Sequence, residues 1–137
     1  MLDRDPGLSL NGLASGLMPG AIHLSMSTIS TAASSAIELE HAKREQGYVA
    51  APVFGNPAAA EARQLYIVAA GRDCYVERCR PIFDILGQRT FVVGREPAAA
   101  NLIKLAGNAL TAATLEMLGE IVALMRKRGG DPNSCRS

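Results

Sequence analysis

Short apolar runs alternate with longer amphipathic stretches along the first two thirds of the chain. Residues 21–26 (AIHLSM), 48–53 (YVAAPV), 65–70 (LYIVAA) and 89–93 (RTFVV) are mainly apolar without strict alternation. Runs of that length bounded by Gly and Pro predict strands, and the missing alternation predicts a sheet covered on both faces. Between the first two runs, Ala33, Ile37, Leu39 and Ala42 give residues 31–46 helical spacing. Ser27 and Thr28 supply N-cap chemistry for that helix, and Gly47 a C-terminal stop. A second helix is predicted over residues 72–86. A single helical turn is predicted over 58–63, after the loop Phe54-Gly55-Asn56-Pro57. A short helix near residues 8–15 and a turn at Met18-Pro19-Gly20 precede the first strand. Strands alternating with helices predict an α/β fold with a parallel sheet of about four strands.

The pattern changes after Gly94. Residues 96–128 contain one proline, Pro97, at a position where a first helical turn accepts it. Gly107 and Gly119 weaken this helix without ending it, and Gly129-Gly130 stop it. Its length would be roughly 50 Å at the usual helical rise, more than so small a sheet can cover. A domain boundary is therefore expected near Arg95, giving residues 1–95 and 96–137. No internal repeat or low-complexity tract is present.

Asn101, Lys104, Asn108 and Thr111 lie at i, i+3, i+7 and i+10 of that helix, a polar stripe on an otherwise apolar cylinder. A lysine and two amides facing one way can protonate or orient a carbonyl, the lysine's pKa being lowered by partial burial. The same spacing also describes an ordinary solvated face. Ser27 and Thr28 end a strand, where open α/β sheets bind ligands, yet such residues also serve as plain helix caps. His23 and His41 lack partners at metal-ligand spacing and read as structural or surface residues. Glu38, Glu40, Lys43, Arg44 and Glu45 read as a solvated helix face, and Arg126-Lys127-Arg128 suits a helix C-terminus.

Composition narrows the function classes. The chain is 48% hydrophobic and 20% charged, as a folded protein is. Its 14 Lys plus Arg against 13 Asp plus Glu leave a net charge of +1, without the basic excess that tracks phosphates. With no Trp there are few platforms for stacking bases, so no nucleic-acid partner is expected. The most apolar stretch, residues 98–125, is interrupted by Asn101, Lys104, Asn108, Glu116 and Glu120, so no membrane partner is expected. The start lacks the basic-then-apolar plan of a secretion signal. Cys74, Cys79 and Cys135 have no metal-ligand spacing and read as reduced thiols of a cytoplasmic protein. Neither GxGxxG nor GxxxxGK[ST] occurs.

Four segments in order carry a more specific signal. The segment Pro19-Gly20-Ala-Ile-His-Leu-Ser-Met-Ser-Thr28 resembles a strand ending in D-x-S-T. Ala51-Pro-Val-Phe-Gly-Asn56 resembles the substrate turn A-P-V-S-G-G, and Leu65-Tyr-Ile-Val-Ala-Ala-Gly71 a strand closed by G-G. Asn101-Leu-Ile-Lys-Leu-Ala-Gly-Asn108 resembles a catalytic K-x-x-x-N helix. Together they resemble the β-hydroxyacid dehydrogenase family, which includes 3-hydroxyisobutyrate dehydrogenases and 6-phosphogluconate dehydrogenase, over about residues 7–132.

The resemblance implies a Rossmann-like domain, NAD or NADP as cofactor, and a small hydroxyacid or related carbonyl substrate. Lys104 matches the family's general acid/base and Asn108 the asparagine that holds substrate and lysine. Thr28 matches a residue beside the cofactor. Ser27, Gly55 and Asn56 fall at substrate-binding positions. The long helix matches one that enters a helical dimerisation domain, so a homodimer through it is expected.

Three positions depart from the pattern. Ser25 stands where the family has Asp, while Phe54 and Asn56 replace Ser and Gly. Phe54 cannot donate a hydrogen bond to a carboxylate, which points to a bulkier or less acidic substrate. The glycine-rich turn that cradles the pyrophosphate has no counterpart, so the chain resembles the second half of a cofactor domain plus the interdomain helix. Weak or no dinucleotide binding by the chain alone is expected. Two other readings are a non-catalytic module assembling through the long helix and an imine-reducing relative, the latter prompted by Phe54.

Overall fold

The computed structural model describes residues 12–128. Five strands and five helices follow in the order α1 (Leu13–Gly16), β1 (Ile22–Ser25), α2 (Thr31–Lys43), β2 (Gly47–Ala50), β3 (Val53–Phe54), α3 (Pro57–Glu61), β4 (Leu65–Gly71), α4 (Asp73–Leu86), β5 (Gly87–Gly94) and α5 (Pro97–Lys127). Part of the helix expected near residues 8–15, the stop at Gly129-Gly130 and Cys135 lie outside the described residues.

The α/β class holds, but the sheet is mixed and five-stranded rather than parallel with about four. β1 pairs with β2 in parallel and β4 with β5 in parallel, whereas both β2 and β3 run antiparallel to β4. A parallel crossover from β2 to β4 needs a substantial covering helix. The connection holds only α3, five residues long, so the chain reverses instead. The run expected as one strand over 48–53 is divided at Ala51-Pro52. Pro52 offers no N–H to a ladder, but its carbonyl accepts from the Val68 N–H at 3.0 Å.

Side-chain alternation along β2 and β4 builds a core on each face. Val49, Leu65, Ile67 and Ala69 pack with Val76, Cys79 and Phe83 of α4 on one face. Tyr48, Ala50, Val68 and Ala70 pack on the other with Ile37 of α2, Phe54 and Ala99-Ala100 of α5. Cys74 is exposed and Cys79 buried, as their five-residue offset on a helix requires.

Two helix boundaries differ from expectation. The N-cap of α2 is Ser30, whose hydroxyl accepts from the Ala33 N–H at 3.1 Å, so Ser27 and Thr28 are not its caps. The helix ends at Lys43 with Glu45 in left-handed conformation (φ 55°), while Gly47 opens β2. A Cβ at Gly47 would lie 2.9 Å from the Tyr75 ring, so the glycine there serves close packing.

The two histidines, expected to be structural or on the surface, join Gln46 in a largely buried chain, His41 and Gln46 being buried and His23 half-buried. Gln46 Nε2 donates to the Ala14 and Leu17 carbonyls, leaving its Oε1 to accept from His41 Nδ1 at 2.7 Å. His41 Nε2 must then accept, so His23 Nδ1, 2.8 Å away, carries the proton. This chain fastens the α1 segment, α2 and β1 to one another. On α2, Glu40 accepts from Arg44 at 3.0 Å and pairs with Lys43 at 3.5 Å, as a solvated face allows.

The described residues form two compact units that divide within α5, one ending at Leu105 and the other beginning at Ala106. The first holds the sheet and the opening turns of α5, where Pro97, Ala100 and Asn101 are buried. The second is helical and carries exposed Leu110, Leu115, Met117, Leu118, Ile121 and Leu124. There, the Thr111 and Thr114 hydroxyls donate back to the Gly107 and Leu110 carbonyls at 2.9 and 2.8 Å. By length and composition alone, Pro97–Lys127 is long and apolar enough to cross a membrane.

Candidate functional site

Lys104, the third residue after the buried Asn101, is half-buried, and its Nζ stands 4.1 Å from the centre of the Phe54 ring. It makes no ion pair with any described residue. Burial disfavours its charged form and lowers its pKa below the usual lysine range. A lysine so placed releases its proton more readily than a solvated one.

The turn opposite the lysine is tightly specified. Phe54 closes β3 in register with Tyr66 of β4. Gly55 then takes φ 148°, and a Cβ there would lie 2.6 Å from a Leu65 methyl, so only glycine fits. Asn56 caps α3, its side chain accepting from the Ala59 N–H at 2.8 Å. That use of Oδ1 orients the Asn56 side chain toward the helix.

At the end of β1, Ser27 and Thr28 are exposed. The Ser27 carbonyl accepts from Asn101 Nδ2 at 3.4 Å, a long bond that joins this strand end to α5. Asn101 is 1% exposed, so the polar stripe is not simply a solvated face at its first member. Its Oδ1 is buried with no partner among the described residues.

The structure thus brings Lys104 to the Phe54-Gly55-Asn56 turn and Asn101 to Ser27. Thr28 is at the same strand end as Ser27, without a hydrogen bond among the described residues. Asn108 is an exposed residue of the second unit, one helical turn beyond Lys104 in sequence. The sequence marks Asn101 only as one amide of the lysine's stripe and Phe54 only as a departure in the substrate turn; neither is paired there with the residue it meets in the structure. The signal for Asn101 was its place on the lysine's stripe; that for Phe54 was a lone aromatic beside a strained glycine.

A sheet with helices on both faces, and polar residues gathered where β1 ends, define an α/β domain of the nucleotide-binding class. The chain matches the NAD binding domain of 6-phosphogluconate dehydrogenase over residues 7–94, and it belongs to that family. Its cofactor is accordingly NAD or NADP. It is 40% identical to the uncharacterized oxidoreductase YfjR of Bacillus subtilis, across 87% of this chain and 42% of that protein. It is 30% identical to the chloroplastic glyoxylate/succinic semialdehyde reductase 2 of Arabidopsis thaliana, across 94% of this chain and 36% of that protein. The structure of Psf3 in complex with NADP+ and 2-OPP is similar at a TM-score of 0.80 and 25% identity, across 90% of this chain and 43% of that one. The chain thus spans about two fifths of the length of these relatives.

The residues present fit the nicotinamide end of such a cofactor. Two exposed hydroxyls, Ser27 and Thr28, sit at the strand end, and the buried Asn101 Oδ1 is an acceptor without a donor. The sequence holds no GxGxxG turn.

Proposed function

We propose that this chain forms the lysine-bearing part of an NAD(P)-dependent oxidoreductase that interconverts a hydroxyl and a carbonyl on a small molecule. The observation that carries this reading is the half-buried Lys104, held opposite the strained Phe54-Gly55 turn without a counter-ion among the described residues. The bound dinucleotide supplies hydride exchange at the substrate carbon. Lys104 Nζ gives a proton to the carbonyl oxygen during reduction and takes it back from the hydroxyl during oxidation. Thr28 lines the cofactor side, while Ser27, Gly55 and Asn56 shape the substrate side. Asn108, one helical turn beyond Lys104 in sequence, is assigned to the substrate by its match to the family's motif.

The names of the relatives, an oxidoreductase and a semialdehyde reductase, favour this reading over a non-catalytic module. Substrates of the same kind, small acids bearing an aldehyde or hydroxyl, are the first to try. Phe54 offers no hydrogen bond to a carboxylate, which directs the choice toward the less acidic and bulkier among them. A second copy of the chain is the expected partner, through the apolar side chains of the second unit. Two free thiols, Cys74 and Cys79, go with a cytoplasmic setting.

Mapping by NMR tests the site without requiring turnover. NADH or NADPH added at millimolar concentration is expected to move the resonances of Ser27, Thr28 and Lys104. Shifts confined to other parts of the sheet unit would overturn the assignment.

A further inference from the structure

Lys104 has one close partner among the described side chains, and it is a hydrocarbon ring. The ammonium lies 4.1 Å from the Phe54 centroid, inside the range where a cation is attracted to the negative face of an aromatic ring. From the geometry we infer that Phe54 is a positioning residue for Lys104, its ring face holding the ammonium toward the turn. This inference rests on the reading of Lys104 as the proton-transfer group.

The ring is well placed for that duty. Its backbone is fixed in the β3–β4 pairing, and the next residue, Gly55, admits no other side chain. Phe54 also packs into the core cluster that contains Ala50, Val68 and Ala100. Ala100 is four residues before Lys104 on α5, so the same cluster fixes both the ring and the helix that bears the lysine.

The choice of an aromatic partner has a chemical consequence. A carboxylate would hold the lysine's proton and oppose its release. A hydroxyl oxygen would occupy one of its three donors. A phenyl ring does neither: it attracts the charge while leaving the N–H groups without a competing oxygen acceptor. Burial and the ring then act in opposite directions on the same group. Desolvation pushes the ammonium toward its neutral form, and the ring face draws it back.

The chain contains three lysines, Lys43, Lys104 and Lys127, so the side-chain NMR signals of Lys104 can be assigned with a single Lys104→Arg variant. In the unaltered protein the Lys104 ε-methylene protons are expected upfield of those of Lys43 and Lys127, because the Nζ they adjoin lies over an aromatic face. In Phe54→Leu that displacement should vanish, and the Lys104 titration midpoint should fall by roughly half a pH unit or more. Phe54→Tyr should restore both. Coincident ε-proton shifts for all three lysines in the unaltered protein overturn the inference, with no variant needed. So does a Phe54→Leu midpoint that stays or rises. If the ring effects appear but NADH leaves Ser27, Thr28 and Lys104 unmoved, the positioning stands and the functional reading of the site fails.

Discussion

Asn101 Nδ2 lies 3.4 Å from the Ser27 carbonyl oxygen, joining the opening turn of α5 to the end of β1. Both residues belong to the sheet unit, and the asparagine is almost wholly enclosed. Through this contact the strand end that carries Ser27 and Thr28 is tied to the helix that carries Lys104. Asn101→Ala removes the bond, leaves the Ser27 carbonyl without it and opens space in a packed region. A loss of about 1–3 kcal/mol is expected in urea unfolding. An unchanged urea midpoint would show that the contact contributes nothing.

The Gly55-Asn56 turn should separate backbone strain from capping. Gly55→Ala places a methyl into the Leu65 side chain at a backbone conformation that alanine avoids, so destabilisation of about 1–3 kcal/mol is expected. Asn56→Ala removes only the α3 cap and should cost about 1 kcal/mol. Thermal melts of the two variants decide the order. Equal losses would mean that Leu65 moves aside and that Gly55 is not required.

The histidine chain gives the fold a pH dependence of definite sign. Burial, and then the neighbouring His41, lower the His23 pKa below its ordinary value of 6.5. The unfolded chain therefore binds a proton more readily than the folded one. Stability is full above about pH 6.5 and declines as the pH falls through that value toward the lower folded pKa, with a slope of at most about 1.4 kcal/mol per pH unit for one proton. His23 is flanked by His41 and by the Tyr48 ring at 5.2 Å, with no acid bonded to it among the described residues to reverse the sign. His23→Gln should flatten the profile between pH 7 and the folded pKa. A variant whose slope matches that of the unaltered protein would assign the dependence elsewhere.

Much of this architecture was legible in local pattern, because helical spacing and short apolar runs report burial directly. β4 begins at the expected Leu65, and α5 covers nearly all of the expected length. The direction of β2 against β4 was not legible from strand–helix alternation. Direction depends on whether the connection is long enough to cross the sheet, and the five-residue α3 was the signal against it. Caps failed for a related reason. Ser27, Thr28 and Ser30 have similar capping chemistry, and only the path of the chain after β1 selects Ser30. At the site, Lys104 was legible from the stripe and from the family's motif order. The Phe54–Lys104 contact was not, since it joins residues fifty positions apart in sequence through the packing of α5 on the sheet.

The second unit makes the last prediction. Leu110, Met117, Ile121 and Leu124 follow one another at i, i+7, i+11 and i+14, so they share one face of α5, and all are more than half exposed. Exposed apolar side chains in such a row are covered when two copies pair, and a dimer mass is expected in dilute buffer by sedimentation. Ile121→Glu puts a charge in the middle of that row and should yield a monomer with the sheet unit still folded, as judged by its amide spectrum. A monomer from the unaltered chain at micromolar concentration would sink the pairing. Recovery only in detergent would sink it as well, and would instead select the membrane-crossing length and composition of Pro97–Lys127 as its functional property.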